Sequence, residues 1–390
     1  MRIALLSDRY PPDPGGLSQA AQRIAEGLAG RGLQVDVYAA ASGPVPGTWS
    51  EDDGGAVTVR RLGAHRREED TAADLLDRLE ARHAAAPYDV VHGLYLVRSG
   101  FLAAYAGNAL GVPAVVSARG NDLDKSVLDP ARAAPILFAL QQAAVVTAVS
   151  QALARKAQAL APAARVEYVP NGVDAARFAP VPRDAALARS LALDGREVVG
   201  FTGELRQKKG LMPLLDALAQ LAATRPVTLL AVGGVRADSE GALAVFRRMC
   251  PAVAIIVLPD RPPAELPPLY ALMDVFVHPS LRDGMPNAVL EAMACARPVA
   301  ASTAGGIPDL VRDGVEGVLV PPGDASALAG AIAGLLDDRA RARRLGEAAR
   351  VRARRDFTPE AETRRYVSIY RQATAALRRS SGGAPARASR

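Results

Sequence analysis

The chain of 390 residues has only two cysteines, Cys250 and Cys295, too few for a disulfide framework. Both stand among apolar neighbours and read as reduced core residues. Aromatic residues make up 4% of the sequence, and no basic stripe is interleaved with them. Nucleic acid is therefore not an expected partner, despite a net charge of +6. No run of about 18 apolar residues occurs, so no membrane-spanning helix is expected. The four histidines, His65, His83, His92 and His278, lack metal-ligand spacing. The apolar part of the opening "MRIALLSDRYPP" is too short for a signal peptide, which leaves a cytoplasmic protein as the expectation.

What is present is globular. Hydrophobic residues make up 49% and charged residues 23%. The length is comfortable for two domains. The positive balance suits anionic partners: a nucleotide, a phosphorylated substrate or a phospholipid surface. Arginine concentrates in "RARARRLGEAARVRARRDF" (339–357), which reads as a solvated helix face. Peripheral contact with an anionic membrane, at its inner face, is compatible with that charge.

Short apolar runs alternate with helical periodicity along the chain. "RIALLSD", "VDVYAA", "VTVRRL", "YDVVHGL", "PAVVSAR", "AVVTAVS" and "VEYVP" read as buried parallel strands of a first α/β domain, 1–180. "EVVGFTGE", "VTLLAVGG", "AIIVLPD", "VFVHPS", "PVAAST" and "GVLVPP" read as those of a second, 181–356. The stretch 174–196 between them has no clear period and reads as a linker region. A helix is expected over 357–378 after the break at Pro359, and a disordered tail over 379–390. Two successive doubly wound, Rossmann-like domains imply two facing parallel sheets with one deep cleft between them. Ligands in such sheets bind beyond the carboxyl ends of strands.

Four loops after strands carry candidate chemistry. "SDRYPPDPGGLSQAA" ends in Gly15 and Gly16 at a helix start, where backbone N–H groups favour an anion. "TGELRQKKGL" crowds Arg206, Lys208 and Lys209 at a helix mouth, as a diphosphate requires. "SLRDGMPNAVLEAMACARPVA" places Asp283 in a turn with Gly284, and Pro286 at the first turn of a helix. Glu291 lies inside that helix on the face of Asn287, where a carboxylate can accept both hydroxyls of a ribose. "SARGNDLDK" gathers Arg119, Asn121, Asp122, Asp124 and Lys125, too polar a set for a core. Asp122-x-Asp124 also matches the Asp-x-Asp pattern of metal-dependent transferases. The single tryptophan, Trp49, falls in a Gly/Pro/Ser loop, as an acceptor lid or as loop packing.

These segments, with "VPNGVD", "AGGIPDLV" and "GVLVPPGD", occur in the order found in the family-four retaining glycosyltransferases (glycosyltransferases group 1), which the sequence resembles over about residues 1–375. The resemblance implies the two-domain GT-B fold, with a last helix crossing back onto the first domain. It implies a nucleotide-diphosphate sugar as donor, held by the second domain, and a sugar, lipid-linked or other small acceptor on the first. Bacterial polysaccharide or glycoconjugate assembly is the common role. No metal or other cofactor is expected, because cationic groups and helix N-termini stabilise the leaving diphosphate.

By the same resemblance Glu291 matches the acid on the donor ribose, and Asp283 the acid near the transferred sugar. Lys209 matches the lysine on the diphosphate, and Gly16 the glycine against the phosphates. Gly284, Met285, Pro286 and Asn287 match the turn whose backbone meets sugar and phosphate.

Three departures stand out. Asp283 replaces the usual glutamate. Glu204 stands where the basic loop usually has arginine, with Arg206 two residues on as a substitute. Arg119-Gly120-Asn121-Asp122 replaces His-Gly-x-Asp, so Arg119 holds the place of a histidine that touches sugar and acceptor. Arginine clamps an anion but cannot act as a base at neutral pH. Retaining transfer in which the leaving phosphate serves as base does not need that histidine, so an anionic group facing Arg119 is expected. Two further readings fit the same residues: a non-catalytic sugar-nucleotide-binding partner subunit, and another enzyme of this fold such as an epimerase.

Overall fold

The computed structural model describes residues 1–13, 15–41 and 43–382. Two compact units form: 1–171 together with the chain from Pro359, and 172–358. Residues 172–180, read from the sequence as the end of the first domain, pack with the second unit. There Val173 donates its N–H to Phe357 O at 2.8 Å.

The first unit is built on β1 (Arg2–Ser7), β2 (Gln34–Ala41), β3 (Trp49–Asp53), β4 (Val57–Gly63), β5 (Val90–Leu94), β6 (Ala114–Ala118), β7 (Val145–Ala148) and β8 (Val166–Tyr168). Their order across the sheet is β3-β4-β2-β1-β5-β6-β7-β8. All neighbours are parallel except β3 and β4. The second unit has β9 (Glu197–Thr202), β10 (Val227–Val232), β11 (Ala254–Leu258), β12 (Val275–His278), β13 (Val299–Ser302) and β14 (Val318–Val320), in the order β11-β10-β9-β12-β13-β14. Each predicted strand is present. The central ones are mostly apolar, with a few buried polar groups such as His92 and Ser117, because helices cover both sheet faces. Val90, Val115, Val199, Leu229 and Val275 are fully buried.

Trp49 is not in a loop but opens the edge strand β3. The strand was illegible because its remaining residues, "SEDD", are polar and exposed, as edge strands often are. Its acid has a structural purpose. Arg60, almost fully buried in β4, needs counter-charges and finds Asp36 at 2.7 Å and Glu51 at 3.1 Å. Trp49 itself stands edge-on to Tyr38, with ring centroids 6.4 Å apart.

The expected linker also holds a helix, Ala185–Ser190, started by Asp184 Oδ1, which accepts from the N–H groups of Ala186 and Leu187. The last helix, Pro359–Gly382, belongs to the first unit. It lies against the helix Gly16–Ala29. There Gly27 leaves room for Thr363, and Arg23 Nε donates to Glu362 Oε2 at 2.7 Å. Tyr366, Val367, Ile369 and Tyr370 join the core of Ile24, Leu28 and Val90. Burial of Val367 and Ile369 stabilises the docked helix by about 1.5–3 kcal/mol each. Of the tail expected over 379–390, residues 379–382 continue this helix and 383–390 lie outside the described residues.

Candidate active site

In an open parallel sheet the loops diverge where strand order reverses, and the crevice there takes the ligand. In the second unit that point lies between β9 and β12. The basic loop follows β9, and the Asp283 turn follows β12. Their backbones are pressed together. Gly210 (φ +79°) has no room for a side chain, since a Cβ would stand 1.9 Å from Pro279 O. Leu281 N donates to Lys208 O at 2.9 Å. Lys209 and Asp283 are thereby carried into contact, with Nζ donating to Oδ2 at 2.5 Å.

Two more groups converge on the same oxygen. His278 Nε2 is 3.0 Å from Asp283 Oδ2, and Ser280 Oγ donates to it at 3.3 Å. Burial opposes ionisation of Asp283. The Lys209 ammonium and the His278 ring outweigh it and hold the carboxyl well below its ordinary range. His278 is fully buried between the stacked rings of Phe201 and Phe276. Burial and the nearby Lys209 charge lower its pKa, against the pull of Asp283. The result is an imidazole biased towards its neutral form beside the ion pair of Asp283 and Lys209.

Beyond Asp283, Gly284, Met285 and Pro286 are buried, and the helix Asn287–Ala294 begins. Pro286 is its N-cap, one residue ahead of the predicted first turn, because its backbone is extended (φ −77°, ψ 118°). Glu291 is one turn on from Asn287, and its Oε2 accepts from Tyr270 OH at 2.8 Å. Arg206 Nη1 pairs with Glu204 Oε2 at 3.3 Å, so the acid in the unexpected place is answered by the arginine two residues on.

In the first unit the order reverses between β1 and β5. Gly15 and Gly16 follow β1, both exposed. Gly15 (φ +112°) is the N-cap of Gly16–Ala29 in a backbone conformation that side chains rarely adopt.

Arg119 follows β6. Its Nη2 donates to Asn171 Oδ1 at 2.9 Å, while Nη1 is buried with no hydrogen-bond partner among the described residues. Asn121 is exposed. Asp122 faces the opposite way. Fully buried, it accepts from the N–H groups of Gly120 (2.8 Å), Arg119 (2.9 Å), Leu123 (3.0 Å) and Leu96 (3.4 Å). Burial raises its pKa, and these backbone donors oppose the rise. It shapes the loop, and its carboxylate is taken up by the backbone. Asp124 instead pairs with Lys156, so the Asp-x-Asp carboxylates do not act together. Among the described residues, no group of three or more His, Cys, Asp and Glu could hold a metal ion.

Sequence reasoning did not single out His278, Ser280, Tyr270 and Asn171. The "HPS" at the end of β12 directly precedes the Asp283 turn and was a usable signal for the first two. Tyr270 offered none, since its partner lies 21 positions away; Asn171 stands in "VPNGVD", but its pairing with Arg119, 52 positions away, is not written there.

The chain matches the description "Glycosyl transferase 4-like domain" over residues 15–172 and "Glycosyl transferases group 1" over 196–338. It is 32% identical to a D-inositol 3-phosphate glycosyltransferase of Segniliparus rotundus, over 95% of this chain and 89% of that protein. It is 32% identical to a GDP-mannose-dependent alpha-(1-6)-phosphatidylinositol monomannoside mannosyltransferase of Mycolicibacterium smegmatis, over 89% and 92%. Among solved structures it resembles a sucrose-phosphate synthase from Thermosynechococcus elongatus, with a TM-score of 0.81, 25% identity, and coverage of 96% and 99%. None of the three is an epimerase or a binding subunit. With two parallel-sheet units and this succession of loops, the chain belongs to the family-four glycosyltransferases (glycosyl transferases group 1), GT-B enzymes that move a sugar from a nucleotide-sugar donor to an acceptor.

Proposed function

We propose that the enzyme is a retaining, metal-independent glycosyltransferase whose acceptor carries a phosphate. The contact that supports this reading most directly is Lys209 on Asp283 at the switch point of the second sheet. A fixed ammonium beside the N-terminus of the helix Asn287–Ala294 is preorganised for a leaving diphosphate, where charge develops as the glycosidic bond breaks. Arg206 adds a second cation. Glu291 takes the ribose hydroxyls. Asp283 holds Lys209 with one oxygen and turns the other to the transferred sugar. The backbone of Gly284, Met285 and Pro286 meets sugar and phosphate. In the first unit, Gly15 and Gly16 offer N–H groups to phosphate.

Arg119 supports the acceptor class. Its buried Nη1 has no partner among the described residues and suits an anion, and Asn171 holds the other end of the guanidinium. Asn121 lines the same loop. The relatives named for inositol 3-phosphate and for phosphatidylinositol monomannoside point to phosphate-bearing acceptors. With arginine in place of the histidine, the leaving phosphate accepts the acceptor proton and substitution occurs on the face from which it departs.

Incubating the enzyme in EDTA with UDP-, GDP- and ADP-sugars and inositol phosphates tests the proposal. The expected product keeps the anomeric configuration of the donor by NMR. Loss of transfer in EDTA, restored by magnesium, overturns the metal-free reading, and an inverted product overturns the retaining one. Arg119→Ala is expected to raise KM for phosphorylated acceptors about tenfold or more; unchanged kinetics with every acceptor would remove the anion role.

A role in polysaccharide or glycoconjugate assembly on the cytoplasmic side of a membrane belongs to the same proposal. No helix among the described residues is long and apolar enough to cross a membrane. The helix Arg339–Asp356 carries eight arginines, with Arg343, Arg344, Arg354 and Arg355 exposed. Sedimentation with anionic vesicles but not neutral ones is the expected result.

A further inference from the structure

We propose that Tyr270 is the positioning residue that fixes the carboxylate of Glu291 for the donor ribose, through a one-way hydrogen-bond chain from Thr202. The inference rests on reading Glu291 as the ribose acid. Tyr270 is fully buried in the helix Leu266–Leu272, its ring 5.7 Å from that of Phe276 and 6.4 Å from that of Phe178. Its hydroxyl meets three groups: Thr202 Oγ1 at 2.7 Å, Glu291 Oε2 at 2.8 Å and Ala288 O at 3.3 Å.

A phenol has one proton to donate. An ionised carboxylate only accepts, so the short Glu291 contact takes that proton. The phenol oxygen is then the acceptor towards Thr202, whose hydroxyl donates. The chain runs Thr202 to Tyr270 to Glu291, each proton pointing the same way. Burial, reinforced by the Glu291 charge, raises the Tyr270 pKa well above the ordinary phenol value, so the phenol keeps its proton at any working pH.

The geometry gives the chain a purpose beyond core packing. Thr202 ends β9, and Glu291 lies on the helix that follows β12, so the phenol spans the two strands of the switch point. A glutamate has three rotatable bonds. Holding Oε2 from a rigid ring restricts the side-chain rotamer and the plane of the carboxylate. Two neighbouring ribose hydroxyls can be accepted together only if that plane is set beforehand, so Tyr270 contributes preorganisation and not a contact of its own.

The test uses the full chain and isothermal titration with UDP, GDP and ADP, then the tightest binder against its 2′-deoxy counterpart. In wild type the ribonucleotide is expected to bind about tenfold more tightly, the loss of one hydrogen bond to a charged group. Glu291→Gln is expected to bring the ratio close to one. Tyr270→Phe keeps the ring and is expected to lower the ratio to about threefold or less, with the deoxy affinity nearly unchanged. A purely structural tyrosine would lower the melting temperature or weaken both ligands equally, and leave the ratio as in wild type. That outcome, with Glu291→Gln still losing the ratio, overturns the inference and leaves the ribose reading standing. If Glu291→Gln keeps the ratio, if wild type shows none, or if none of the three binds, the ribose reading falls and the inference with it. Should Tyr270→Phe not fold, Thr202→Val decides: a smaller drop in the same ratio supports the chain, and no drop overturns it.

Discussion

Lys209 and Asp283 come from different loops, 74 positions apart, yet Nζ and Oδ2 stand 2.5 Å from each other with both side chains largely shielded from water. Removing one partner leaves the other charged and poorly solvated. Lys209→Met is therefore expected to destabilise the protein by about 1–3 kcal/mol and to weaken nucleoside-diphosphate binding by about tenfold or more. Denaturant melts and titration calorimetry check both. Unchanged affinity would show that the lysine serves only Asp283.

The Asp283 turn is backed by Gly305. Its φ is +54°, and a Cβ there would lie 1.6 Å from Asp283 O. Gly305→Ala is expected to displace the turn, costing about 2 kcal/mol or more and abolishing nucleotide-induced thermal shifts. Gly314 (φ +71°) meets nothing within 4 Å. Gly314→Ala is expected to cost about 1 kcal/mol of backbone strain alone and to keep the thermal shift.

Asp122 satisfies four backbone N–H groups at once. Asp122→Asn puts an amide where those donors converge. A loss of about 2 kcal/mol and faster hydrogen exchange over 119–124 are expected. Full stability combined with lost turnover would instead place Asp122 against substrate.

His92, fully buried in β5, lies 2.7 Å from Tyr370 OH by Nδ1 and 2.8 Å from Ser117 Oγ by Nε2. Burial, helped by the Arg119 charge, lowers its pKa to about 3. Between the ordinary histidine value and that one, the unfolded chain binds a proton that the folded chain does not, so stability falls with acid. From pH 7.5 to 5 the loss from this residue is about 2 kcal/mol. Urea melts across that range check it, and His92→Gln is expected to flatten the dependence. Equal slopes in the two proteins would show that the folded ring protonates freely.

The strand–helix alternation was legible because each strand is a short apolar run and each end is marked by glycine, proline or a polar loop. The positions of the loops after β9 and β12 were legible for the same reason, since glycine and proline punctuate them. The edge strand β3 was not, since "SEDD" carries no apolar alternation and only the buried Arg60 explains it. Nor was the inward turn of Asp122, which depends on four N–H groups closing on it in space.

The sequence alone therefore determined the α/β class and the succession of strands in the two units, because periodicity and backbone propensity are local. Only the tertiary structure decided which side chains share a proton or a charge. Strand order set β9 beside β12, and that adjacency put Lys209, His278 and Ser280 on one oxygen of Asp283 and Tyr270 between Thr202 and Glu291. Hydrogen bonds and ion pairs act over a few ångströms of space, and that proximity across 21 or 74 positions is written in the sheet topology and in no stretch of the chain.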